Sequence, residues 1–151
     1  GGSDHTPFLQ NKIPGLLMWH FTDVFYHTDN DRIDKVSPTE MKNVGISGLT
    51  AAYALISADE SMATKVVDQV KSDGLIRLKT EFELSKKAVG EGKSLADEKH
   101  ILQTWNKWYV DALATISKMP VKMETTRLGS AIKFATNELE KQTQVYLETL
   151  K

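Results

Sequence analysis

The chain has no cysteine in its 151 residues. That excludes disulfides, thiolate metal sites and cysteine nucleophiles. No apolar run approaches the roughly 18–20 residues of a membrane-spanning helix, so no membrane span is expected. The opening residues do not read as a signal peptide. Charge of either sign is nearly absent in the balance: 19 basic and 20 acidic side chains leave −1. A nucleic-acid partner held by counterion release is therefore not expected. Internal repeats and low-complexity tracts are also missing. What remains is ordinary globular composition, 40% hydrophobic and 26% charged, with enough chain for one domain or two small ones.

The composition changes near Ser57-Ala58-Asp59. Residues 1–58 hold Pro7, Pro14 and Pro38, three of the four prolines, and His5, His20 and His27, three of the four histidines. Thr6-Pro7 suggests an N-cap and first helical residue for a short helix through Lys12. Residues 14–21 are a continuous apolar run of strand length, suited to a strand covered on both faces. Residues 22–36, rich in Asp, read as a long polar loop. Ser37-Pro38-Thr39-Glu40 is a capping box with proline at its first helical position. The helix it opens should run to about Ser57, with Met41, Val44, Gly48, Ala52 and Leu55 on one face. Gly45 and Gly48 would permit close packing there.

Residues 59–151 are rich in Lys, Glu, Leu, Ala and Thr and read as almost entirely helical. Met62, Val66, Val70, Leu75, Leu78, Phe82 and Val89 outline one stripe, which Gly74 is expected to interrupt or bend. Ser94 and Asp97 open another helix, with Leu102, Trp105, Trp108, Tyr109, Ala112, Ile116 and Met119 on its apolar side; Pro120 stops it. The aromatic trio Trp105, Trp108 and Tyr109 reads as bundle core. A last helix carries Leu128, Ile132, Ala135, Leu139, Tyr146 and Leu150. One stripe per helix calls for mutual burial, most simply in an antiparallel bundle.

Three features of residues 1–44 carry chemistry by their order and spacing. They are Gly2-Ser3-Asp4-His5-x-Pro7-Phe8 with Ile13-Pro14, then Tyr26-His27-Thr28-x-x-Asp31-x-x-Asp34-Lys35, then the helix opened by Ser37. Together they resemble the end of the catalytic domain in the co-catalytic zinc aminopeptidase family. That family also contains glutamate carboxypeptidases and glutaminyl cyclases. The resemblance covers residues 1–58 and does not extend to 59–151.

The resemblance implies that residues 1–58 are the C-terminal piece of an α/β zinc-peptidase sheet domain; with the helical stripes of 59–151, the expected chain is mostly α, that piece followed by a helical bundle. It implies two zinc ions in the parent enzyme, with His27 as the last metal ligand in chain order. A neutral imidazole suits zinc. Tyr26 matches the position whose hydroxyl helps stabilise the oxyanion. Asp4 reads either as a residue near the site that touches a ligand or substrate, or as a turn residue before Thr6-Pro7. His5 reads as structural, and Asp31 and Asp34 as loop-shaping residues. Arg32 stands where the family often has Thr. Glutaminyl cyclases tend to place Trp before the metal His, whereas Tyr26 stands here.

The family's remaining ligands and its catalytic Glu lie upstream of the Gly-Ser-Asp-His motif, where this sequence starts. His20 reads as a hydrogen-bonded core residue, and His100 falls on a remote helix. No His-Glu-x-x-His or two-His helix pair replaces the missing donors, and a zinc site needs three or four ligands. The expectation is thus a fragment of an aminopeptidase that hydrolyses peptides from the N-terminus, inactive alone because the upstream ligands are missing, with the parent's N-terminal catalytic portion as its partner. The alternative is that residues 59–151 form a dimerising, partner-binding or active-site-capping module of that parent. A peptide substrate and a periplasmic or extracellular location for the parent follow from the resemblance, and a homo-oligomer through the helical region goes with the alternative.

Overall fold

The computed structural model describes residues 3–19, 23–120 and 127–151. It divides into two compact units, Gly1–Ala51 and Ala52–Lys151. Among the described residues there are five α-helices, one short 3-10 turn and no strand. The chain is mostly helical, as expected.

The first unit begins with helix α1 (Thr6–Gln10). Pro7 stands in its first turn, where its missing N–H costs nothing. The N-cap is His5 rather than Thr6, and its side chain makes no capping hydrogen bond. The Thr6 hydroxyl instead accepts from the Ser3 N–H at 3.2 Å. The helix ends at Gln10, short of Lys12, because the backbone turns left-handed at Lys12, φ 59°. The Lys12 N–H then donates to Leu9 O at 3.0 Å and the Ile13 N–H to Phe8 O at 2.9 Å. This is a Schellman termination, and Pro14 beyond it cannot resume a helix.

Residues 13–19 form no regular element. A strand must exchange N–H and C=O bonds with a second strand, and none occurs among the described residues. The rest of the apolar run, His20 and Phe21, lies outside the described residues. A 3-10 turn, Ile33–Lys35, precedes helix α2 (Pro38–Ser57). The Ser37 hydroxyl accepts from the Glu40 N–H at 3.3 Å, so Ser37 caps the helix as the sequence suggests. The helix ends at Ser57 as the sequence suggests. Its expected inner face is open, with Met41 63%, Val44 45% and Leu55 58% exposed. Its other side, Ile46, Leu49, Tyr53 and Ile56, is equally uncovered, and no residue of the helix is buried. Of the two glycines, only Gly48 permits a close approach: a Cβ there would lie 3.3 Å from Met18 Cε, whereas one at Gly45 would meet open space.

The second unit is built by α3 (Glu60–Gly90), α4 (Leu95–Ile116) and α5 (Arg127–Thr149). Each packs on both others, forming a three-helix bundle. Asp59 caps α3 by accepting from the Met62 N–H at 2.7 Å. Ser94 caps α4 through the Asp97 N–H at 3.3 Å. Between them Gly92, at φ 87°, closes a second Schellman termination, with Gly92 N–H to Val89 O and Lys93 N–H to Ala88 O. The start of α5 is served from another helix: Glu60 Oε1 of α3 accepts from the Leu128 N–H at 3.1 Å. A carboxylate there also complements the positive end of the helix dipole.

The main core gathers Ala63, Val67, Leu78, Leu113, Ile116, Leu128, Ala135 and Leu139; a second cluster holds Phe82, Leu102 and Leu150. The Phe82 and Tyr146 rings stack at 4.3 Å beside it. The inner stripe of α3 differs from the expected one at its start. Ala63 and Val67 are buried while Met62 is 38% exposed, because small residues let the helices approach. Nor does Gly74 interrupt α3. A Cβ there would meet Leu139 Cδ2 at 2.8 Å and the Tyr109 ring at 3.1 Å, so the glycine is a point of close helix contact. Trp108, expected in the core, is 58% exposed, while Trp105 and Tyr109 pack against the core. Arg77 covers Trp105, its Cζ 4.2 Å from the ring centroid, and bonds Glu81 at 2.9 Å.

Candidate functional site

Tyr26 and His27 sit at the tip of a tight turn. The Thr28 N–H donates to Phe25 O at 3.0 Å, which makes Tyr26 and His27 the two central residues. The turn is braced from both flanks. The Phe25 N–H donates to Asp23 Oδ1 at 2.9 Å, and the Thr28 hydroxyl donates to Phe25 O at 2.6 Å. The Thr28 hydroxyl also accepts from the Asn30 N–H at 3.3 Å. Short side chains that bond nearby backbone favour such turns.

His27 has φ 61°, in the left-handed region. A turn with positive φ at its second central residue ordinarily takes Gly or Asn there. An imidazole in that place costs about 1–2 kcal/mol of backbone strain. Residues held in such conformations concentrate at functional sites. The Tyr26 ring stacks on the imidazole, with centroids 3.9 Å apart and planes 20° from parallel.

The structure thus brings Tyr26 and His27 together. It does not bring Asp4 to them. Asp4 is exposed in the turn before α1, and no interaction among the described residues joins it to either. His5 is partly buried, and its Nδ1 has no hydrogen-bond partner among the described residues. The loop-shaping role expected of Asp31 and Asp34 falls to Asp23 and Thr28 instead. Asp34 pairs with Lys35 at 2.7 Å, and Asp31 lines an open cleft of about 530 Å³. Phe25, Lys35, Glu40 and Met41 also line that cleft. Arg32 bonds Asp29 O through Nε at 3.1 Å, so it serves the loop without disturbing the turn. Asp23, in the sequence one of several polar residues of the 22–36 loop, stands two residues before Phe25, the spacing of an Asx turn.

With that geometry in place, the comparison with known families is informative. Residues 1–52 match the family model of Peptidase family M28. That segment, and not the rest of the chain, is similar to the M28 metallopeptidases. The match covers about a third of the chain and contains the whole Tyr26-His27 turn. No curated protein and no solved structure matches the chain.

M28 peptidases are in general zinc-dependent. Among the described residues, no group of three or more His, Cys, Asp or Glu could hold a metal ion. One imidazole falls short of the three or four protein ligands that zinc requires. The described residues therefore do not make an M28 zinc centre on their own, and no catalytic step is assigned to metal in this chain. No helix of the described residues is long and apolar enough to cross a membrane.

Proposed function

We propose that residues 1–58 are the C-terminal segment of the catalytic domain of a zinc aminopeptidase, an enzyme that hydrolyses peptides from the N-terminus. The observation that carries the reading is His27: a ligating residue type in a left-handed turn position, inside the segment related to M28. In this reading His27 is one donor to a metal centre whose other donors belong to the parent's N-terminal catalytic portion. The Tyr26 hydroxyl is the oxyanion-stabilising group, and Asp4 lies close to substrate once that portion is present. The sheet of the parent, not formed among the described residues, includes the apolar run 14–21.

The surface of the first unit supports this. None of its described residues is buried, and Leu16, Val24, Ile33 and Leu49 are each more than 70% exposed. Apolar area left open on this scale marks an interaction surface. The parent's location is periplasmic or extracellular in this reading.

The test is direct. Metal analysis of the isolated chain at micromolar zinc is expected to give far less than one zinc per molecule, with no turnover of an aminoacyl-anilide. Stoichiometric zinc with turnover would overturn the fragment reading. In the full-length parent, His27→Ala is expected to remove most activity. Unchanged activity would remove His27 from the metal centre.

A second reading concerns residues 59–151. The match to M28 ends at residue 52, while the bundle has a core of its own. This supports an added module that dimerises the parent or caps its active-site cleft. Deleting it separates the two: a folded but inactive monomer indicates a cap, and an active monomer indicates a dimerisation element.

A further inference from the structure

The Tyr26 ring is held from two sides. His27 stacks on it at 3.9 Å, and Trp19 meets it at 5.1 Å with the ring planes at 81°. The Tyr26 hydroxyl makes no hydrogen bond among the described residues, so ring contacts set its direction. Burial does not set it either, since Tyr26 is 44% exposed and Trp19 41%.

The two contacts differ in kind. His27 is the next residue in the chain and shares the turn backbone, so its stacking moves with the turn. Trp19 comes from a separate segment, seven residues earlier. It is a contact made from outside the turn. T-shaped aromatic pairs are directional, because the positive edge of one ring meets the negative face of the other. A tyrosine χ1 otherwise has three staggered wells to choose from. Contacts on two sides, from two segments, select one.

We propose that Trp19 is a positioning residue for Tyr26. Its T-shaped contact holds the phenol in a single orientation, the one from which the hydroxyl reaches a developing oxyanion. Only that last step rests on the reading of Tyr26 given above; the contact itself does not.

The test has two arms. The first uses the 151-residue chain and NMR couplings that report the Tyr26 χ1. Wild type and Trp19→Phe are expected to show one rotamer. Trp19→Met keeps apolar bulk but removes the ring, and is expected to show averaging among rotamers. A single rotamer in Trp19→Met overturns the proposal. So does loss of the Thr28 turn amide signal in both variants, which would make Trp19 a support of the turn rather than of Tyr26.

The second arm uses the full-length enzyme. Trp19→Met is expected to lower kcat about 3- to 10-fold with KM unchanged, and Trp19→Phe to recover most of it. In a Tyr26→Phe background, Trp19→Met is expected to cause no further loss. An equal loss in that background overturns the proposal. If Tyr26→Phe alone retains full activity, the oxyanion reading falls, and the coupling measurement still decides whether Trp19 orients Tyr26.

Discussion

The two units of this chain solve opposite problems with similar material. The second unit closes its apolar side chains into a core, with Leu78, Leu102, Leu113 and Leu139 all fully buried. The first unit has a similar share of large apolar residues, about a third, but buries none of those described. Helix α2 shows the contrast best: it is apolar on both sides and covered on neither. A helix that is hydrophobic all round is stable only when surrounded. The bundle helices each carry one stripe and polar opposite faces, so three suffice. The lesson is that helix formation is local, whereas burial depends on what else is present to pack against.

The strongest test of this contrast is to cut the units apart. Residues 52–151 alone are expected to keep a cooperative thermal transition by circular dichroism, and residues 1–51 alone to show none. A cooperative melt of 1–51 would break the comparison. Next in size, Leu139→Ala should cost about 3–4 kcal/mol in denaturant unfolding, since it empties a fully closed site. Leu49→Ala, 74% exposed on α2, should change stability by about 0.5 kcal/mol or less. Equal losses would mean that α2 is covered after all.

Gly74→Ala sharpens the account of the bundle. Alanine gains about 1 kcal/mol in helix propensity. The added methyl, 2.8 Å from Leu139 and 3.1 Å from Tyr109, should lose about 1–3 kcal/mol to overpacking. A net destabilisation of roughly 1 kcal/mol is expected, and a net gain would show that the helices can separate there. The smallest effects come from the two Schellman terminations. Gly92→Ala should cost about 1 kcal/mol, and Lys12→Gly should relieve a similar strain. Gly92→Ala is read in the melt of the bundle. Lys12→Gly is read in amide exchange at Ile13, where slower exchange is expected.

The parts of this fold that the sequence disclosed are those decided within a few residues. Ser37 and Ser94 announced the starts of α2 and α4 because a cap is a contact three residues long. The neighbours of Tyr26 and His27 form a recognisable motif, and the Phe25–Thr28 turn that holds the pair is decided within four residues. The parts that stayed hidden depend on distant partners. Glu60 holds the start of α5 from 68 residues away, and nothing near Leu128 points to it. Gly74 resembles a helix breaker until Leu139 and Tyr109 stand against it. Trp108 and Trp105 share similar local spacing, and only the packing of α3 decided which ring turned inward. The apolar run 14–21 has the pattern of a strand, but no ladder occurs among the described residues, because a ladder is a property of two segments.

The left-handed backbone at His27 has an implication for laboratory evolution. Selected for folding strength alone, position 27 should drift to glycine, the residue that its turn accommodates at no cost. Such a variant would be hardier and would have discarded the imidazole. If His27 has the role proposed above, thermal tolerance and chemical competence pull in opposite directions at this one residue, and a library scored on both properties would register that opposition directly.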